Sequence, residues 1–269
     1  MGTLKGPILF TGSIGDIRCY YDKARKQYTI SLKGGQNKTQ VMNNPKLERQ
    51  RETMNEMTVS AKWASMLQKS LHFIDHLHWG YYFPKINAMG KAIISHDYEG
   101  IHGYRSLESS KNARLLTTIN FNKLHPFDEV FTQPYEISFS EDKRTVTLKI
   151  LGLIPARHLK WREDYASFHI ILVIAQLPDW HWNKERKKHE PVIEDSKLLS
   201  KSSCSEWCSG DDKFQDVILE SSFDQPALQK PGSTVVVAMG IEFSSTHVAP
   251  NTTGTYGIGT MKIVECFVQ

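Results

Sequence analysis

Cysteine is scarce in this chain, and the scarcity excludes one architecture at once. Four thiols, Cys19, Cys204, Cys208 and Cys266, are scattered over 269 residues, which is too few for a disulfide-stapled framework, so reduced thiols are expected. Cys204 and Cys208 stand four apart around Trp207 in a serine-rich stretch. That spacing admits a local disulfide or half of a zinc site, but no second Cys/His pair completes a metal set. Long apolar runs are also missing. The longest, in FHIILVIAQL, is strand-length and well short of the roughly 18 residues that cross a bilayer, so a soluble chain without a membrane span is expected. The N-terminus MGTLKGPILFTGSIGD lacks a basic region leading through an apolar stretch to a small-residue cleavage site. The cytoplasm is therefore the default location, with release by lysis or a specialised machine leaving no readable mark.

Catalytic signatures are absent as well. Gly12-Ser13-Ile14-Gly15 has neither the third glycine nor the following helix of a dinucleotide turn, and no GKS or GKT phosphate loop exists. The serines around Ser203 and Ser209 contain no G-x-S-x-G elbow. His72, His76 and His78 surround Phe73 and Asp75, and on a helix His72 and His76 would share a face able to grip a metal. However, HFIDH is not HEXXH and lacks the glutamate that activates water. Histidines at a helix end, suited to the negative pole of its dipole, are the preferred reading. No cofactor, no metal and no enzymatic activity are expected, with a metal-dependent enzyme built on His72 and His76 as the third reading. The sequons at Asn37 and Asn251 are incidental without an export signal. Net charge is also slight, at +4, which does not by itself argue for nucleic acid.

What is present is an ordinary globular balance, 40% hydrophobic and 23% charged, in a chain long enough to bury a core. Ile8, Phe10, Ile14, Ile17, Cys19 and Tyr21, then Tyr28, Ile30 and Leu32, mark short strands around the YDKARKQ turn, a hairpin closed by Gly34 and Gly35. Such a ribbon is marginal alone and must pack on something, in this chain or a neighbour. Asn43 and Asn44 before Pro45 signal a helix start. Leu47, Met54, Met57, Ala61, Ala64, Leu67, Leu71 and Ile74 then form a stripe at helical spacing. Unbroken over residues 45–75, that helix would be about 45 Å long. A second helix over 84–96 should pair with it through the turn at Gly80.

Beyond Gly103 the texture changes to short strands, at 115–121, 135–139, 145–151, 168–176, 214–220, 234–243 and 256–268. FHIILVIA, apolar on both faces, should be central. The fold class expected is α+β: an N-terminal β-hairpin and helical hairpin (residues 1–103), then a mainly antiparallel β-sandwich (104–269), with an immunoglobulin-like topology as one arrangement. Residues 178–211 are expected as a long loop of the functional or disordered kind.

GSIGDIRCYY, SLKGGQNK, NNPKLERQRETMNEM and the closing GIEFSSTHVAPNTTGTYGIGTMKIVE together resemble a family of uncharacterised proteins common in Bacteroidota. Its members are similar in the order of a G-x-I-G strand ending in K-G-G, a helix opening with N-(D/N)-P and an R-x-R-E stretch, and a G-I-E-F strand before a final hairpin. The resemblance runs essentially end to end and implies a fold rather than an activity. The Trp- and Lys-rich loop and the histidine-rich end of the first helix depart from it.

The ribbon, the long helix and the empty catalytic tests point to a structural protein that self-assembles as a homo-oligomer or filament, or with related subunits. The expected interface is Ile14, Ile17, Tyr20, Tyr21 and Tyr28 on the ribbon with Arg49, Arg51 and Glu52 on the helix. Glu48 and these charges also read as a solvated face carrying weak ion pairs. The alternative is a glycan-binding module with Trp180, Trp182 and Trp207 as stacking platforms. Basic residues at 184–188 interleave with those aromatics, but Glu185, Glu190, Glu194 and Asp195 dilute the field, so nucleic acid is not the expected partner.

Overall fold

The computed structural model describes every residue except 1, 4–8, 24, 33, 163, 195–198, 212, 227–230, 246–257 and 269. The readings at Ile8, Asp195, Asn251 and Tyr256 therefore lie outside the described residues. The chain forms two compact units, Met1–Arg51 and Glu52–Gln269.

The first unit is a ribbon. Strands β1 (Gly2–Thr3), β2 (Gly12–Ile14), β3 (Ile17–Asp22) and β4 (Gln27–Leu32) make one antiparallel sheet in the order β1-β4-β3-β2. The expected hairpin is β3–β4, widened by a strand on each side. Gly15 takes φ +55° in the two-residue turn between Ile14 and Ile17, a left-handed position that glycine occupies at little cost. Helix α1 (Lys38–Asn43) follows, capped reciprocally: Asn37 Oδ1 accepts the Gln40 amide at 2.7 Å and Gln40 Oε1 accepts the Asn37 amide at 3.0 Å. Asn44 accepts the Lys46 amide at the 3-10 turn Pro45–Leu47.

Helix α2 (Glu48–Ser70), whose first turn falls in the first unit, runs without proline or glycine. It is about 35 Å long and ends at Ser70, short of the expected Asp75. Ser200 Oγ donates to the terminal carbonyl of Ser70 at 2.9 Å, satisfying one of the acceptors a helix end leaves open. The expected stripe is right at Ala64, Leu67, Leu71 and Ile74, all buried, and wrong at Met54 and Met57, both exposed. The buried line instead runs through Glu56, Val59, Ser60 and Trp63, because steps of three and four fit either of two neighbouring lines on a helix. Helix α3 (Phe83–Ser95) follows the turn at Gly80, which has φ +74°. The two helices meet where Gly90 leaves room for Ser60 and Trp63, and Ser60 Oγ donates to Asn87 O at 2.6 Å.

Residues 115–121, expected as a strand, form the short helix α4 (Ala113–Leu116) and a loop. Their β-branched and aromatic composition serves burial, with Leu116, Ile119 and Phe121 in the core under the helices. Helix α5 (Phe127–Val130) leads to β5 (Glu136–Phe139), β6 (Thr145–Leu153), α6 (Pro155–His158) and β7 (Ser167–Pro178). The stretch expected as a loop carries four strands: β8 (Trp180–Asn183) and β9 (Lys188–Pro191) pair as a hairpin, and β10 (Ser200–Cys204) and β11 (Cys208–Ser209) pair with β7. The last three are β12 (Gln215–Ser222), β13 (Ser233–Ser244) and β14 (Gly259–Val268).

Two antiparallel sheets result, ordered β12-β6-β5 and β10-β7-β13-β14. Even-numbered residues of β7 (Phe168, Ile170, Leu172, Ile174) and odd-numbered residues of β13 (Val235, Val237, Met239, Ile241) meet Val146, Leu148 and Ile150 of the smaller sheet. Ile171, Val173, Val236 and Ala238 face the helices, against Val59, Trp63 and Leu67. FHIILVIA is thus buried on both sides, as expected, in the middle layer of three. Each buried Leu or Val contributes about 1.5–3 kcal/mol, and this packing ties the helices to the sheets. The division accordingly falls at 51/52, not at the expected 103/104.

Candidate functional site

In an antiparallel ladder, directly opposed residues point to the same side of the sheet. The ribbon's register pairs Ile14 with Ile17, Ile17 with Leu32, Cys19 with Ile30 and Tyr21 with Tyr28. One face is therefore apolar throughout. The other carries Ser13, Arg18 and Ser31, then Tyr20 and Thr29, then Asp22 and Gln27. Ile14 is 65% exposed and Leu32 75%, with Ile17 and Tyr21 also open. Tyr21 and Tyr28 meet edge to face at 5.1 Å, whereas Tyr20 lies on the polar side under Arg18, 5.8 Å from its ring centre. Of the expected interface aromatics, Tyr21 and Tyr28 thus share the apolar face with Ile14 and Ile17, and Tyr20 does not. Among the described residues of the first unit only Cys19, Thr29 and Val41 are buried.

The helix charges are largely engaged within the chain. Arg51 donates to the carbonyls of Val41 and Asn44 at 2.9 and 2.8 Å, closing the C-terminus of α1. Glu52 Oε2 lies 3.2 Å from His102 Nδ1. Arg49 is exposed.

A second site lies in the larger unit, on the loop after α3. Glu56, on the buried line of α2, accepts Nε–H and Nη2–H of Arg105 at 2.7 and 2.8 Å and the Gly103 amide at 2.8 Å. Burial pushes the Glu56 carboxyl up, but these bonds and the charges of Arg105 and His102 outweigh it and hold it below its ordinary value. Asp97 accepts the amides of Glu99, Gly100 and Ser106. Asp179 accepts the Ser109 hydroxyl and the amide and hydroxyl of Ser110, and Leu107 exchanges both backbone hydrogen bonds with Trp180 at 2.9 Å. Three carboxylates thus fix residues 97–110 from below. Along their outer side stand Tyr98, Ile101 and Tyr104, all exposed.

The hairpin β8–β9 supplies the facing wall. Trp182 meets Tyr104 edge to face at 4.7 Å and His189 at 5.0 Å. His189 is buried and bonded to Arg105 O at 2.9 Å, and burial lowers its pKa despite that bond. Ile101, Tyr104, Ser106, His181, Trp182 and Lys184 line an open hollow of about 430 Å³.

The three tryptophans expected as stacking platforms stand in different surroundings. Trp180 is buried in the core under the helices, Trp182 lines the hollow, and Trp207 packs on His169 at 4.1 Å. The histidines separate, because α2 ends before them. His72 Nδ1 contacts Lys69 O, and His78 contacts Asp75 O, with Tyr82 donating to the Asp75 carboxylate. Ile74 and Leu77 sit on Gly240 and Gly259 of the sheet. That seat brings His76 Nε2 to 3.4 Å from Glu242 Oε2, and His169 Nε2, directly opposite Glu242 in the ladder, lies 3.3 Å from the same oxygen. Among the described residues no group of three His, Cys, Asp or Glu side chains is placed to hold a metal ion. Cys204 is exposed and Cys208 half-buried, opposite Ile171 and Phe168 on β7. Among the described residues no helix is long and apolar enough to cross a membrane.

Glu56, Asp97, Arg105 and Tyr104 were missed in the sequence. One signal for them exists: a glutamate set in register with Val59, Ser60 and Trp63 on a buried helix line needs a cationic partner, and Arg105 is that partner. No family model, curated protein or solved structure matches the chain.

Proposed function

We propose that the protein is a non-enzymatic structural subunit whose ribbon unit is completed by another copy of the chain or a related subunit. The observation that carries this reading is the ribbon's uniformly apolar face, Ile14, Ile17, Leu32, Tyr21 and Tyr28, in a unit that buries almost nothing among its described residues. Cys19 at the middle of that face is covered, whereas Ile14, Ile17, Leu32 and Tyr21 toward its ends are exposed, and a two-layer fold gains stability by covering such a face. The contact is face-on, since the outer strands β1 and β2 span only two and three residues and offer little backbone for strand addition. Arg51 and Glu52 act in this reading within the chain, so Ile14, Ile17 and Leu32 carry the association.

Size-exclusion chromatography with light scattering over a concentration series tests it. The intact chain should associate, and Leu32→Asp and Ile14→Asp should each shift it to monomer with an unchanged circular dichroism spectrum. A wild-type chain that stays monomeric at high concentration, or aspartate variants that associate as before, would refute it.

A further inference from the structure

We propose that the hollow lined by Tyr104 and Trp182 is a binding site for an acidic sugar residue of a glycan. Its two rings stand at 66° with centres 4.7 Å apart, forming an aromatic corner, and Ile101 closes one side. A pyranose ring has an apolar C–H face that stacks on such a surface and hydroxyls around its edge. The rim supplies partners for those hydroxyls, with Ser106 Oγ and His181 Nδ1 set 3.1 Å apart. Among the described lining residues the one permanent charge is the ammonium of Lys184, placed to meet a carboxylate or sulfate.

Rigidity distinguishes this hollow from an incidental surface dip. Ligand sites are usually preformed, and preorganisation removes an ordering cost from binding. Tyr104 sits between Gly103, bonded to Glu56, and Arg105, held by the same carboxylate. Trp182 rests on buried His189, which is bonded to Arg105 O. Both walls are therefore referred to one ion pair.

The surroundings favour a sugar over a nucleic acid. A nucleic-acid groove needs a track of positive charge along the phosphates. Here Arg186 and Lys188 are paired with Glu190 at 3.0 and 3.1 Å, and the loop beside the hollow carries Asp97, Glu99 and Glu108. A single ammonium among the described lining residues, beside an aromatic corner, suits one acid group on one ring.

Isothermal titration calorimetry on the intact chain tests the site. The probes are linear galacturonic acid and galactose tetramers, a chondroitin sulfate tetrasaccharide and a single-stranded oligothymidylate. At least one acidic oligosaccharide should bind, and if it is the chondroitin sulfate, loss of binding on chemical desulfation identifies sulfate as the anion whereas retention identifies carboxylate. Trp182→Ala should weaken it about tenfold to hundredfold, the change expected for one lost stacking ring. Lys184→Gln, at an exposed position that leaves the fold untouched, should reduce acidic binding to the level of the galactose tetramer. The proposal is overturned if neither acidic oligosaccharide binds, if binding survives both substitutions, or if the oligonucleotide binds more tightly than any sugar.

Discussion

Replacing Arg105 with methionine should cost about 3 kcal/mol of stability at neutral pH, and the cost should shrink on acidification. Arg105 gives Glu56 a two-pronged hydrogen bond, and the side chains are 21% and 9% exposed. Methionine preserves the aliphatic packing and removes only the fork. What then faces the carboxylate is the Gly103 amide at 2.8 Å and His102 Nε2 at 3.6 Å. Breaking a buried ion pair from one side costs roughly 3–5 kcal/mol, and the part-exposed guanidinium puts this pair near the lower end.

The pH dependence carries the sign. In the native protein burial raises the Glu56 carboxyl but its partners lower it further, to a net value below 4.5. A depressed acid contributes stability that is complete above its unfolded pKa and is lost as pH falls through the folded one. Without Arg105, burial is opposed only by the Gly103 amide and the charge of His102, and the carboxyl rises from its native value. The variant then loses less stability than wild type as the solution is acidified from pH 7 toward about pH 4, and the gap narrows. Urea unfolding of both proteins across that range measures it. A gap under about 1 kcal/mol, as for an exposed pair, or one that does not change with pH, refutes the reasoning. Arg105→Lys should fall between the two proteins, because a point charge cannot reproduce the planar fork.

Gly240→Ala should destabilise by about 1–3 kcal/mol in the same assay, the usual cost of overpacking, since its new methyl carbon would lie 2.7 Å from Leu77 and 2.8 Å from Ile74. Glu242 is pushed up by burial and down more strongly by His169 and His76, to about 2, so its contribution is complete above pH 4.5 and lost as pH falls from there. Glu242→Gln should flatten the acid limb of a circular dichroism titration below pH 4.5. Burial pushes the Cys266 thiol up to about 12, so iodoacetamide at pH 8 should label exposed Cys204 and spare Cys266 until denaturant is added, as read by peptide mass mapping.

Much of the fold was readable because burial leaves a period. Val146, Leu148 and Ile150 alternate with polar residues because one face of β6 meets water, and the doubly apolar β7 announced its central place. The stretch from Trp180 to Ser209 hid four strands for the opposite reason. SKSSC of β10 joins the sheet through its backbone opposite Ile171 to Ala175, and serine-rich edge strands have no hydrophobic rhythm to detect. Residues 115–121 look like a strand because burial under a helix layer selects the same side chains as burial in a sheet. At the sites, the ribbon's apolar side follows from alternation alone. The Glu56–Arg105 pair, by contrast, joins positions 49 apart, and no local pattern encodes that separation.

If a partner completes the ribbon as proposed, a thin sheet with one water-averse side and two covered side chains, Cys19 and Thr29, makes protein concentration a folding variable for the first unit. Mass action would then set its order while leaving the three-layer unit indifferent. Dilution alone should loosen the N-terminal segment to proteolysis, and crowding copies together should protect it, so that protease resistance at this one end reports how many neighbours a molecule has found.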